Sequence, residues 1–305
     1  MSFSLTILGS NSATPAYGRH HTAQYLQIQK NTFLVDCGES TQLQLSKFKC
    51  KTQKIDHIFI SHLHGDHYLG LMGLLFTMHL LKRDKELHIY GPKGLSEIIT
   101  IQLKYSDSTL NYDIIFHELN SSEKQLVFED ASVEVYSFPL NHRIPCTGFL
   151  FKEKTKPIRI NKDKLPPNLP LLQIAMLKKG EDIIDKNGKL LYSNSDLTLP
   201  PKKSRSYAYC SDTKYDESII EHVKNVDLLY HEATFLEGKA IWAEKTFHST
   251  TDQAGKIAEA ANVGKLLIGH YSARYKDLTP FIEETKNYFS NAELAIEGEV
   301  IDIPE

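Results

Sequence analysis

Positive charge is not in surplus. The 305 residues carry a formal net charge of −3, so nothing global draws the chain to RNA, and any nucleic-acid contact must come from local basic patches. Cysteine is scarce as well. Cys37, Cys50, Cys146 and Cys210 form no Cys-x-x-Cys pair, and two sit in apolar, strand-like runs. That argues against a disulfide framework and for reduced thiols in a cytoplasmic protein. No run approaches the roughly 18 apolar residues of a membrane-spanning helix. The stretch Met1 to Leu8 has no basic region and no long apolar segment, so no signal peptide is expected. Low-complexity tracts and short repeats are missing too. What is present is length and a 41% hydrophobic share, enough for one large domain over residues 1–305.

The densest chemistry lies in Ser61-His62-Leu63-His64-Gly65-Asp66-His67. Before it, Ile55 to Ile60 reads as a short buried strand. After it, Leu71, Leu74, Leu75 and Met78 recur at helical spacing. Three imidazoles and a carboxylate therefore sit on a strand-to-helix turn. In extended backbone, residues two apart face one side, so His62 and His64 can grip one cation. As the chain bends, Asp66 and His67 can turn to a second, and this donor set suits zinc. Gly65 is expected to supply a permissive backbone conformation, and Gly70 and Gly73 a close approach to another element. The bland alternative, a satisfied histidine cluster in a loop, fits a lone histidine better than four ligand-type residues at this spacing.

His-x-His-x-Asp-His resembles the signature of the metallo-β-lactamase fold. The longer string Ser-His-Leu-His-Gly-Asp-His-x-x-Gly-Leu-x-Gly-Leu-Leu resembles the ribonuclease Z family, endonucleases that mature tRNA 3′ ends. The likeness continues through Asp36-Cys37-Gly38-Glu39-Ser40-Thr41-Gln42, His142-Arg143-Ile144-Pro145, Ser211-Asp212-Thr213, His231-Glu232-Ala233-Thr234, His248-Ser249-Thr250 and His270-Tyr271-Ser272-Ala273-Arg274-Tyr275. It implies an αββα sandwich, and the alternation of strands with helices agrees. It further implies two zinc ions per subunit, one held by His62, His64 and His142, the other by Asp66, His67 and His270, with Asp212 as bridge. Asp36 would support the metal loop, or else cap a helix. His20, His21, His57, His79, His88, His117, His222 and His231 show no convergent pattern and read as surface or core residues.

The chain between Lys152 and Lys164 holds Lys152, Lys154, Lys156, Arg159, Lys162 and Lys164 against Glu153 and Asp163, a local balance of +4. It falls where the family carries an inserted flexible arm, expected here at residues 151–190, which would contact tRNA phosphates. A solvated loop is the alternative. Arg19 matches a family loop that touches RNA near the cleavage point, although His20 stands where the family has Asn.

The implied reaction is hydrolysis of a phosphodiester in precursor tRNA. Zinc-activated water attacks, Asp66 serves as ligand and base, and His248, steered by Glu232, assists the leaving oxygen. The tRNA would keep a 3′-hydroxyl. The resemblance also implies a homodimer. Two other readings remain open: a phosphodiesterase for a small diester, and a catalytically silent RNA-binding scaffold.

Overall fold

Strand periodicity of two sorts side chains into three layers of core. In Val133–Pro139, for example, Val133 and Val135 face one way while Glu134 and Tyr136 face the other. A computed structural model describes residues 2–305. Two seven-stranded sheets stand face to face. The first runs, edge to edge, Val300–Asp302, Phe3–Gly9, Ala23–Ile28, Asn31–Val35, His57–Phe59, Leu87–Gly91 and Ile114–Glu118. The second runs Ala292–Leu294, Leu266–Gly269, Leu228–Glu232, Ser206–Cys210, Thr147–Glu153, Val133–Pro139 and Gln125–Glu129.

Between the sheets lies an aromatic core in which Phe33 meets Phe151 and Phe59 meets Phe149, each pair with ring centroids 5.3 Å apart. Helices Thr41–Lys47, Leu71–Leu80 and Leu95–Tyr105 cover the outer face of the first sheet. Ile219–Val223, Thr251–Ala260 and Thr279–Lys286 cover that of the second. This is a four-layer αββα sandwich of the metallo-β-lactamase kind.

Each sheet has a parallel half. Asn31–Val35, His57–Phe59, Leu87–Gly91 and Ile114–Glu118 pair in parallel, as do Ser206–Cys210, Leu228–Glu232, Leu266–Gly269 and Ala292–Leu294. In open sheets of this type the crevice beyond the carboxyl ends of the strands binds ligands, and here six of the seven candidate metal ligands follow such an end, while His142 follows the antiparallel strand Val133–Pro139.

Two expectations change. Gly65 opens a short helix, Gly65–Tyr68, and is not among the residues with positive φ. A Cβ there would meet only the Leu69 side chain, whose exposed tip can swing aside, so neither φ nor backbone crowding demands glycine. A Cβ at Gly70 would lie 2.0 Å from the Gly38 carbonyl oxygen, and this close contact presses the metal-motif turn onto the Cys37–Gly38 loop.

The second change concerns the insertion. Phe151 and Lys152 do not begin it, because Thr147–Glu153 is a strand in the middle of the second sheet, with Lys152 opposite both Glu134 and Ser206. The strand tolerates Glu153 inside the protein because Arg205, on the returning segment, binds it through Nη2 at 2.7 Å and Nε at 2.9 Å. The excursion leaves after Glu153 and rejoins the sheet at Ser206, beyond the expected end at 190. It has its own small core, Leu177, Ile183 and Leu197, and two short antiparallel pairings.

Candidate metal centre and active site

The turn after His57–Phe59 presents His62, His64, Asp66 and His67. The loop after Val133–Pro139 presents His142, and the ends of Ser206–Cys210 and Leu266–Gly269 present Asp212 and His270. Although far apart in the chain, these seven side chains meet. The donor atoms of His62, His64, His142 and Asp212 lie within 4.8 Å of one another, as do those of Asp66, His67 and His270. Asp212 joins the two groups: Oδ1 is 3.1 Å from both His67 Nε2 and His270 Nε2, and Oδ2 is 3.5 Å from His62 Nε2.

The donor set fits metal ions. His62 Nε2 and His142 Nε2 each stand 3.0 Å from His64 Nδ1, and His67 Nε2 stands 3.3 Å from His270 Nε2. So many imidazole nitrogens aimed at common points cannot all be satisfied by one another's protons. Burial pushes the His64 and His142 pKa values down to about 4, so both are neutral and lone-pair donors at neutral pH. Burial opposes charge on Asp212 as well, but His270, His67 and His62 outweigh it and hold the carboxyl well below its usual range.

The opposite ring atoms are fixed. Ser61 Oγ lies 3.0 Å from His62 Nδ1, and His142 Nδ1 donates to the Phe247 carbonyl at 2.9 Å. Thr234 Oγ1 lies 2.9 Å from His270 Nδ1. His67 Nδ1 donates to Asp36 Oδ2 at 2.7 Å. Such partners set the tautomer and leave Nε2 for a metal. Asp36 is fully buried and also accepts from Ser61 N, Ser61 Oγ and Tyr209 Oη at 2.8, 2.9 and 2.6 Å. It is no helix cap, since Ser40 occupies that position ahead of Thr41–Lys47. Asp66 Oδ2 accepts the Ala13 amide at 2.8 Å. Asp36, Asp212 and His270 all have positive φ, 56°, 47° and 61°. Backbone strain of this kind collects at functional sites, where the surroundings hold it in place.

Glu232 and His248 stand at the edge of this cluster. His248 Nδ1 donates to Glu232 Oε1 at 2.9 Å. The other oxygen of Glu232 takes the Thr234 hydroxyl at 2.6 Å and the Ser249 amide at 3.0 Å. Burial disfavours the charge on His248, but Glu232 outweighs it and raises the imidazole pKa to about 9. Nδ1 is occupied, so Nε2 is the atom from which a proton can be given. The cluster opens on a cleft of about 470 Å³ whose lining includes Ser12, Glu39, His64, Asp66, His142, Arg143, Asp212, Thr246, His248 and His270.

The expected RNA contacts are scattered. Arg19 braces its own loop: Nε donates to Asn11 Oδ1 at 2.9 Å and Nη2 to the Tyr275 carbonyl at 2.5 Å. Lys154 pairs with Glu129 at 2.7 Å. Lys156 is 9% exposed and pairs with Glu153 and Glu305 at 2.9 and 3.1 Å. Arg159 Nε donates to the Pro200 carbonyl at 2.9 Å. Lys162 and Lys164 are exposed, with no carboxylate in ion-pair range among the described residues. Sequence reasoning missed Tyr209, Ala13 and Phe247 as supports. The first was visible only as one aromatic in a strand, and the other two act through backbone atoms that carry no residue signal.

A family model described as Anti-Pycsar protein Apyc1 matches residues 3–164. Ribonuclease Z of Cytophaga hutchinsonii is 51% identical over 298 residues, covering 98% of this chain and 95% of that protein. Ribonuclease Z of Bacteroides fragilis is 44% identical, covering 99% of each. Among solved structures, the short form of human tRNase Z (ELAC1) superposes with a TM-score of 0.73 at 27% identity, covering 99% of this chain and 100% of the human one. The match to the Apyc1 model spans the histidine-rich turn and His142 but ends before Asp212, Glu232, His248 and His270, whereas the matches to ribonuclease Z run the full length. The chain therefore belongs to the ribonuclease Z family, and its first half also to the family that the Apyc1 model describes.

Proposed function

We propose that this enzyme cleaves the 3′ trailer from precursor tRNA, with two zinc ions per subunit held by His62, His64 and His142 on one side, Asp66, His67 and His270 on the other, and Asp212 between. The observation that carries this reading is the convergence of those seven side chains with the Glu232–His248 pair at their edge. The names of the full-length relatives, ribonuclease Z, and of the human neighbour, tRNase Z, support the substrate. When bound, a zinc pair supplies Lewis-acid charge for the phosphoryl oxygens and makes a water acidic enough to be a nucleophile near neutral pH.

The protein's own groups do the rest. Asp66, oriented by the Ala13 amide, takes the proton of the attacking water. His248, protonated at neutral pH, gives its Nε2 proton to the departing 3′ oxygen of the tRNA while the phosphate stays on the trailer, and Glu232 carries the compensating charge. The tRNA keeps its 3′-hydroxyl. No helix among the described residues is long and apolar enough to cross a membrane. A cytoplasmic homodimer, in which the exposed Lys162 and Lys164 of one copy's arm reach RNA bound by the other, completes the reading.

The test is cleavage-site mapping on a precursor tRNA, with a chelator and after zinc is returned, beside a small diester. Cleavage after the acceptor end that stops with chelator and recovers with zinc is expected. Turnover of the small diester alone would remove the tRNA assignment.

A further inference from the structure

One guanidinium stands in the cleft without a counter-charge. Arg143 is the one lysine or arginine among the residues that line it, beside Glu39, Asp66 and Asp212. It directly follows His142, and the segment that carries it is pinned. The Asn141 amide donates to Thr213 Oγ1 at 3.1 Å, Asn141 Nδ2 to Asp216 Oδ2 at 3.0 Å, and His142 Nδ1 to the Phe247 carbonyl at 2.9 Å. The Arg143 side chain itself is exposed. No carboxylate among the described residues is in ion-pair range of it, and its polar neighbour is His64 Nε2, 3.4 Å from Nη2. His64 and Arg143 line the metal cleft, while Leu63, Ile144 and Pro145, beside them in the chain, line a second cavity of about 580 Å³. Arg143 thus stands on the rim between the two.

His64 turns Nδ1 to His62 and His142, so Nδ1 is its metal-facing atom. A neutral imidazole carries one N–H. With Nδ1 given to a cation, the proton sits on Nε2, which can then no longer accept from Arg143. The two become neighbouring donors at an opening that offers them no acceptor. Asp66 and Asp212 cannot serve, because both converge on the metal positions.

We propose that Arg143 and the Nε2–H of His64 together bind the phosphate next to the one being cleaved. The proposal rests on the reading of this centre as an RNA-cleaving one. The phosphate under attack must reach the metal-facing side of His64. Arg143 lies across the imidazole ring from that side, so the phosphate it meets is a neighbour along the backbone. A planar guanidinium suits two phosphate oxygens at once. Such a contact positions the strand without reading its sequence.

Binding of a labelled precursor tRNA is measured by anisotropy on zinc-loaded His248→Ala enzyme, which cleaves slowly. Adding Arg143→Ala should weaken Kd roughly ten- to a hundredfold, the cost of a charged hydrogen-bonded contact. It should also flatten the slope of log Kd against log salt by about 0.7, the share of one single-strand phosphate. Arg143→Lys should restore the slope but only part of the affinity, since an ammonium lacks the planar fork. With His248 in place, Arg143→Ala should raise KM for the precursor. The small diester has no second phosphate, so its KM should rise far less. Equal rises for both substrates, or a salt slope that Arg143→Ala leaves unmoved, overturn the proposal. So does loss of zinc from Arg143→Ala by elemental analysis, which would make the arginine a support of His64. Failure of the tRNA reading is told apart from these outcomes: there the unaltered enzyme neither binds nor cleaves the precursor while hydrolysing the small diester.

Discussion

The protein has two histidine clusters, and one strand, His57–Phe59, contributes to both. One follows the leaving ends of its strands. In it the rings of His64 stand at 81° and 83° to those of His62 and His142, and their nitrogens meet at 3.0 Å. The other involves His57 and His88, at the entering ends of their strands, and His117. There the rings lie nearly parallel, 22° between His57 and His88 and 24° between His88 and His117, in a stack that continues to Tyr90. The first holds three carboxylates, Asp36, Asp66 and Asp212, within 3.5 Å of its imidazoles. The second touches one, Glu86, which is 63% exposed. Histidine count is therefore no guide to metal binding. The crossed rings bring three nitrogens to one point, the stacked rings join only one pair, His88 Nδ1 and His117 Nε2 at 2.9 Å, and buried carboxylates offset cation charge better than an exposed one.

The contrast breaks most sharply at Asp212. Asp212→Ala should strip the metal and reduce trailer cleavage by more than the roughly 10–100-fold cost of losing an outer-shell partner, because this carboxylate touches both halves of the centre. Elemental analysis of the purified variant beside His88→Asn checks it. The first should be metal-poor and the second unchanged. Next in size is His248→Ala, which should keep its metal and lower the chemical rate by roughly 10²–10⁴. In the unaltered enzyme that rate should fall as pH rises through about 9, where His248 loses the proton it donates, and the variant should lack that descending limb. Single-turnover rates across pH measure both.

The sequence announces the two clusters unequally. Four of the seven candidate ligands sit in one heptapeptide, where spacing alone brings them together. His142, Asp212 and His270 are each isolated after a strand, and only the resemblance joined them to the motif. What lies beneath the ligands was less legible. Tyr209 reaches Asp36 across the sheet interface, and Phe247 acts through its carbonyl, so neither has a local signature. The strand Thr147–Glu153 went unread because Lys152 and Glu153 look like surface residues until Arg205 arrives to neutralise the second. The strands Ala292–Leu294 and Val300–Asp302 are three residues each, too short for a period of two to show.

The smallest effect tests the second cluster. Burial among Phe33, Phe128 and Tyr90, with His88 and His117 adding repulsion, pushes His57 down to about 4, while Asp56 and Asp130 offset this only in part. A histidine in the unfolded chain titrates near about 6.5. Between those values the unfolded state binds more protons than the folded one, so stability falls as pH drops from about 6.5 towards 4 and levels below. For this one group the loss between about pH 7 and pH 5 is about 2 kcal/mol. His57→Phe keeps a ring in the stack and cannot take a proton, so its urea unfolding should lose that much less on acidification than the unaltered protein's. Both are measured in chelator, which equalises the contribution of the metal ligands. Equal losses would mean that His57 is protonated in place, held by Asp56 and Asp130 as an ion pair, and the second cluster would then differ from the first in strength of charge pairing and not in kind.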